Sequence, residues 1–264
     1  MMEYIKKCMC PSELSGYKVK YTQGWLDHYK HKTKEKIPND NYWTKNIIRE
    51  PLIKSFKNNC GYCGREIARY QDRKPAGQVD HFKPKSKSPQ LVYKWNNYIW
   101  SCADCNKKKS EEIGFLNPCN KKQMRWLGFD GSTGKYLLKP KYKKNSNIKH
   151  RFEKTQKLTL FNTGIVTKEK KVLFNDIENS IKDLHELPEK IKSQEDEEFR
   201  NYLLEQFRKA TQTLKANLGR NEKSHFFIRK RIIRYTCKKK GISIIELYFS
   251  IKRFIKFYNK SLVL

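Results

Sequence analysis

Three groups of residues in this chain have the types and spacing to do chemistry. Cys60-Gly-Tyr-Cys63 and Cys102-Ala-Asp-Cys105 form two C-x-x-C pairs. Each can turn as a knuckle presenting two thiolates, and two knuckles close a tetrahedral four-cysteine zinc site. Four thiolates leave the ion no open position, so its role there is structural, and its binding supplies folding free energy to a thinly cored segment. Between the pairs lies Asp80-His81, ending the alternating stretch GQVDHF just before Lys83, Lys85 and Lys87. An imidazole serves as a base near neutral pH, and a carboxylate holds a hard divalent cation. Asn97 stands ahead of the second knuckle, and Asn106 follows Cys105 directly, with Lys107, Lys108 and Lys109 behind it. A base, a cation held by oxygens, and lysines for phosphates are what phosphodiester hydrolysis needs. Each residue alone has a plainer reading: Asp80 as a cap or ion pair, His81 as a surface imidazole, the two asparagines as turn residues. Their joint placement inside the cysteine frame favours the chemical one.

The order C-x-x-C, Asp-His, Asn, C-x-x-C-Asn across residues 60–112 resembles the HNH, or ββα-metal, nucleases, and most of all the variants with a four-cysteine zinc behind the site. The resemblance implies that His81 is the general base, Asp80 a ligand of a catalytic divalent metal, and Asn106 the second protein ligand, where other members carry His. It implies that Asn97 holds the loop and the base by hydrogen bonding. With Asn in the last motif position the protein ligands are all oxygen, which favours Mg²⁺ or Mn²⁺ over a nitrogen-bound transition metal. Lys83, Lys85, Lys87, Lys107, Lys108 and Lys109 are the expected phosphate contacts. Over more of the chain, the opening MEYIKKCMCPSELSGYK, the segment FLNPCN…FDGSTGKYLLKP and the helical stretch after it are similar to the PtuB-type HNH proteins of Septu and retron-linked antiphage systems. That likeness implies a role in bacterial defence and a PtuA-like ABC/SMC-type ATPase as partner. In retron-linked versions a reverse transcriptase and its RNA–DNA would join.

The composition agrees with a polyanionic partner. The 264 residues carry 58 Lys+Arg against 27 Asp+Glu, a formal net charge of +31. Such charge repels itself in a compact fold, and neutralising phosphates relieves it with release of counterions. No long apolar run suits a membrane span, no basic amphipathic segment stands apart as an anchor, and the opening lacks the apolar stretch of a secretory signal. The expectation is a cytoplasmic protein, whose eight cysteines serve metal or stay free thiols. Cys8, Cys10, Cys119 and Cys237 lack a metal-ligand spacing, and Cys8/Cys10 with His28/His31 make a poor template for a second site.

The elements that must position these residues read as an α+β chain, mostly helical, with an embedded small ββα-metal module. Residues 1–58 are a helical region, 59–144 the zinc-supported nuclease module with a hairpin at WLGFDGSTGKYLL, and 145–264 a basic helical region. In the last region NDIENSIKDLHELPEKI opens with an Asn/Asp cap and is expected to break near Pro188. Residues 199–264 hold only Glu205, Glu222 and Glu246 as acids, and the aromatic-rich closing helix carries an apolar stripe wide for one helix. Two rival functions remain beside the nuclease: a non-catalytic zinc module that binds nucleic acid by charge, and a basic adaptor that docks on a protein. Neither has a use for a base beside a carboxylate.

Overall fold

The structure, a computed structural model, describes residues 4–31, 38, 41–67, 76–218 and 226–261. Among the described residues helices dominate, and the sheets are two antiparallel two-stranded ribbons, the α+β mixture expected. In order along the chain come α1 (Glu13–His31), α2 (Asn46–Phe56), β1 (Gly77–His81), β2 (Tyr98–Cys102) and α3 (Ala103–Lys109). Next are α4 (Lys121–Met124), β3 (Leu127–Asp130), β4 (Lys135–Leu138), α5 (Pro140–Lys143) and α6 (Ser146–Leu158). Four longer helices close the chain: α7 (Gly164–Ser193), α8 (Glu197–Leu218), α9 (Phe226–Lys239) and α10 (Ile244–Ser261).

The three regions read from the sequence resolve into two compact units. One is built on Met1–Asp130 and Lys135–Thr167, the other on Gly131–Gly134, Lys168–Asn221 and Phe227–Leu264. Within the first unit the ββα segment has too few apolar residues to close a core alone. It borrows Trp43, whose ring meets that of His81 edge-on at 4.8 Å. From the α6 side it borrows Thr155, which accepts the Leu116 N–H at 2.9 Å.

In the first unit α2 buries Ile48, Leu52 and Phe56, one apolar face at four-residue spacing. Lys57 and Asn58 then turn left-handed, with φ of 51° and 53°. The Asn58 N–H caps the helix on the Ile53 carbonyl at 3.0 Å and directs the chain into the first cysteine knuckle. Gly61 there cannot carry a side chain, since a Cβ would stand 2.5 Å from the Phe56 ring. Strands β1 and β2 pair so that Gly77 faces Cys102, Asp80 faces Ile99 and His81 faces Tyr98. At Gly77 a Cβ would overlap the Trp100 ring, which lets that indole close over the start of the ribbon. The β3–β4 hairpin forms around Gly131–Gly134 as the turn residues predict.

In the second unit α7 differs from expectation. It starts at Gly164 rather than at Asn175 and runs through Pro188 without a break. Proline removes one intrahelical bond, but Ile177, Ile181, Leu184, Leu187 and Ile191 keep one buried face continuous across it. Packing of that face outweighs the lost bond. Helix α8 is capped by Asp196, whose carboxylate accepts the Phe199 N–H at 2.7 Å. Among the described residues no helix is long and apolar enough to cross a membrane.

Candidate active site

The two knuckles come together as the spacing requires. The Sγ atoms of Cys60, Cys63, Cys102 and Cys105 lie within 4.8 Å of one another. A tetrahedral zinc with Zn–S bonds near 2.3 Å holds its sulfurs roughly 3.8 Å apart, and the Cys63 and Cys102 sulfurs are 4.0 Å apart. The donor set therefore fits zinc in kind and in spacing. Burial resists ionisation of Cys60, yet hydrogen bonds from Cys102, Cys105 and Cys63 hold its thiol well below the ordinary range. Cys105 also accepts the Leu160 N–H at 3.4 Å, which ties the chain beyond α6 to the metal site. No other metal-competent cluster of His, Cys, Asp or Glu occurs among the described residues, and the His31 side chain lies outside them.

From this anchor the ribbon and α3 place the remaining residues. Asp80 and His81 are neighbours in β1, so their side chains leave opposite faces of the ribbon. On the α3 face Asp80 is buried and both its oxygens are engaged. Oδ2 accepts the Tyr62 hydroxyl, and Oδ1 accepts the Lys109 ammonium at 2.9 Å. The same ammonium donates to the carbonyls of His81, at 2.9 Å, and Ser110, at 3.3 Å. Burial raises the Asp80 pKa, and the Lys109 charge and the Tyr62 bond pull against that rise. The Tyr62 phenol is driven well above its ordinary range, by burial first and by Asp80 second. Two residues earlier on the same face Gln78 accepts a hydrogen bond at 2.5 Å from the side-chain amide of Asn106. Asp80 and Asn106 thus share a face without a direct bond, each held by a partner of its own.

The other face is aromatic. The His81 ring packs edge-on to Trp43 at 4.8 Å and to Tyr98 at 5.2 Å, and the residue is only 7% exposed. Its Nε2 lies 3.0 Å from the Val92 carbonyl, which also accepts the Tyr98 hydroxyl at 2.7 Å. A carbonyl can only accept, so Nε2 carries the proton and Nδ1 is the basic nitrogen. Burial pushes the ring's pKa down to about 3, assisted by the charges of Lys85 and Lys109 and opposed by the Val92 bond. The loop that supplies Val92 is held by Asn97. Its side-chain oxygen accepts the Lys83 N–H at 2.8 Å, and its amide donates to the carbonyls of Lys83, at 3.0 Å, and Leu91, at 3.3 Å.

The six lysines divide by position. Lys83, Lys87, Lys107 and Lys108 are exposed. Lys85 is half-buried, its ammonium 4.6 Å from the Trp25 ring and 4.4 Å from that of Trp43, and burial lowers its pKa. Lys109 departs most from the expected phosphate contact: it is 1% exposed and serves as the counter-charge of Asp80. Three residues beyond Asn106, it lies on the same side of α3 and so faces β1. That spacing is the signal by which it could have been found. Tyr62 and Val92 had none, because nothing in a C-x-x-C pair or in an apolar loop residue marks a hydrogen bond. Trp43, Trp95 and Trp100 are buried packing groups.

A ribbon and helix backed by four cysteines, with Asp-His on the first strand and Asn on the helix, has counterparts among known proteins. Residues 60–112 match the family model described as HNH endonuclease. This segment is an HNH module. The chain is also similar to the Septu protein PtuB of Bacillus thuringiensis, 31% identical over 121 residues. The matched stretch is 44% of this chain and 42% of that protein, so the likeness spans less than half of each. No solved structure matches the chain. For a divalent metal in the HNH module, the Asp80 carboxylate, the Asn106 amide and the Gln78 amide offer hard oxygens on one face. That chemistry fits Mg²⁺ or Mn²⁺, and each Asp80 oxygen keeps a second lone pair beyond its bond to Tyr62 or Lys109.

Proposed function

We propose that the chain is a divalent-metal-dependent HNH endonuclease that hydrolyses nucleic-acid phosphodiester bonds, with DNA the favoured substrate and an RNA such as tRNA the alternative. The observation that carries this reading is the 3.0 Å contact of His81 Nε2 with the Val92 carbonyl, which leaves Nδ1 as the basic nitrogen. The Val92 carbonyl accepts a hydrogen bond from Nε2–H, and Asn97 fixes the loop on which Val92 sits. In this reading His81 Nδ1 takes a proton from the attacking water, while the Val92 carbonyl keeps the ring oriented and stabilises the imidazolium that forms. Asp80 and Asn106 hold Mg²⁺ or Mn²⁺, which when bound stabilises negative charge on the leaving oxygen. A phosphate meeting both faces of β1 approaches around the strand's end, at Phe82 and Lys83. The exposed Lys83, Lys87, Lys107 and Lys108 orient the strand, and Lys85 and Lys109 support the site from within.

The likeness to a Septu protein supports a role in bacterial antiphage defence. The proposal extends to a PtuA-like ABC/SMC-type ATPase as partner, to a retron reverse transcriptase with its RNA–DNA in systems that carry one, and to action in the cytoplasm. A second reading, a zinc module that binds nucleic acid without cutting it, draws on the engagement of Asp80 by Lys109 and Tyr62. Incubation with plasmid DNA and total RNA together, in Mg²⁺, in Mn²⁺ and in chelator, separates the two. Metal-dependent cutting supports the nuclease, and the polymer that is cut names the substrate. Salt-sensitive binding with no cutting in either metal, even with the ATPase present, supports the binding module.

A further inference from the structure

Helix α10 is apolar on two sides. One side is used inside its own unit: Leu247 and Phe254 are buried, and the Phe254 ring lies 4.5 Å from that of Phe207 on α8. On the other side Ile244, Ile245, Tyr248 and Phe249 are 42%, 68%, 53% and 52% exposed. Residues four apart on a helix are neighbours, so these side chains form one stripe. The stripe borders a trough of about 840 Å³, completed by Leu184 of α7, Leu214 of α8 and Ile233 of α9. This is the width that the sequence showed in the closing helix and that the packing of one face does not account for.

The polar margin is of one sign. Lys215 and Lys252 line the trough, and the Lys252 ammonium stands 4.7 Å from the centre of the Tyr248 ring. The acid of this helix, Glu246, is turned to its own N-terminus, where it accepts the Ser243 N–H at 3.2 Å in a capping box. It leaves the lysine margin unbalanced.

We propose that this trough is a docking site for an acidic amphipathic helix of a partner protein. An apolar floor with a cationic margin is the complement of a helix with leucine-like anchors at i, i+3 or i+4 and i+7, flanked by carboxylates. A second copy of the chain fits poorly, because a two-fold contact would bring Lys215 and Lys252 of both copies together on a protein of net charge +31. Nucleic acid would use the lysines but gains nothing from aliphatic Ile244 and Ile245, since its binding comes from phosphate neutralisation and base stacking. The docking site is independent of the nuclease reading, as every residue in it belongs to the second unit.

The test uses the full chain and three labelled synthetic peptides: a Leu/Glu amphipathic helix, its Leu/Lys counterpart, and a scrambled Leu/Glu peptide without an apolar face. Fluorescence anisotropy should show the first binding about tenfold or more tighter than either other. Phe249→Glu and Ile245→Glu, both at exposed positions, should each weaken it by about tenfold. Hydrogen exchange should slow across residues 244–252 when the peptide is bound. Equal binding of the scrambled peptide, or protection elsewhere, would mean that bulk charge alone attracts it and would overturn the proposal. So would self-association of the wild type that Ile245→Glu abolishes, since the face would then belong to a second copy. Should either variant lose its helical circular dichroism, Tyr248→Ala takes its place with the same readouts.

Discussion

The HNH module and the C-terminal helical unit differ in what they bury around their key features. In the module polar and ionic groups are buried and almost wholly committed. Asp80, Lys109, Asn97 and Tyr62 exchange bonds with one another and with the backbone around a four-cysteine frame. In the helical unit most buried side chains are aliphatic or aromatic, with Lys170, Asn217 and a few hydroxyls among them, and one apolar face of α10 is exposed. A frame of this first kind fixes individual atoms, which suits a site where one particular nitrogen must accept a proton. Packing of the second kind fixes only surfaces, which suits recognition of another surface. The contrast predicts that the two units respond differently to the same perturbations.

Metal removal should have the largest effect. Structural zinc contributes on the order of 10 kcal/mol to small metal domains. Chelation, or Cys60→Ser with Cys102→Ser, should therefore unfold the module while much of the helical signal of α7, α8, α9 and α10 survives. Tryptophan fluorescence and far-UV circular dichroism read these separately, since each of the five tryptophans, Trp25 to Trp126, belongs to the first unit. Coincident loss of both signals would erase the contrast.

Breaking the buried ion pair comes next. Lys109→Met leaves Asp80 buried without its counter-charge and should cost about 3–5 kcal/mol in urea denaturation. Adding Asp80→Asn should restore much of that loss, because the uncompensated charge is then gone. A Lys109→Met variant as stable as the wild type would remove the ion pair from the account.

A smaller effect follows from Lys7. Its ammonium donates to the carbonyls of Trp95 and Tyr98, at 2.5 and 2.9 Å, and burial lowers its pKa from 10.5 to about 8. Between these values the unfolded chain keeps a proton that the folded chain has lost, so this contribution to stability rises with pH across the window and is lost as pH falls back through it. Because the side chain is only partly buried, the span is about 1–3 kcal/mol. Subtracting the Lys7→Met stability curve from that of the wild type isolates it, and a flat difference would refute it. In the helical unit Phe249→Glu should move stability by no more than about 0.5 kcal/mol, since its target is a partner and not the fold.

These differences also set how much could be read in advance. The cysteine frame, the Asp-His pair and the β3–β4 hairpin were legible because fixed spacings and turn residues encode them locally. The loop-holding bonds of Asn97 follow the same logic, one side chain acting on a nearby loop. The burial of Lys109 left only its three-residue spacing from Asn106 as a trace, and among neighbouring lysines that spacing takes on meaning only once α3 is packed on β1. Pro188 misled for a related reason: the local rule against proline was overridden by the apolar face of α7. The merging of residues 1–58 with the module depends on contacts distant in sequence, such as Trp43 on His81, and these leave no local trace.

The most direct test of the central claim is a single-turnover cleavage measurement on wild type and His81→Ala in Mg²⁺, with and without the proposed ATPase, alongside nucleic-acid binding. If His81 is the base, the variant binds as the wild type does while its cleavage rate falls by about 10²–10⁴-fold. Cleavage by His81→Ala at the wild-type rate, with both proteins folded and zinc-loaded, would contradict the assignment.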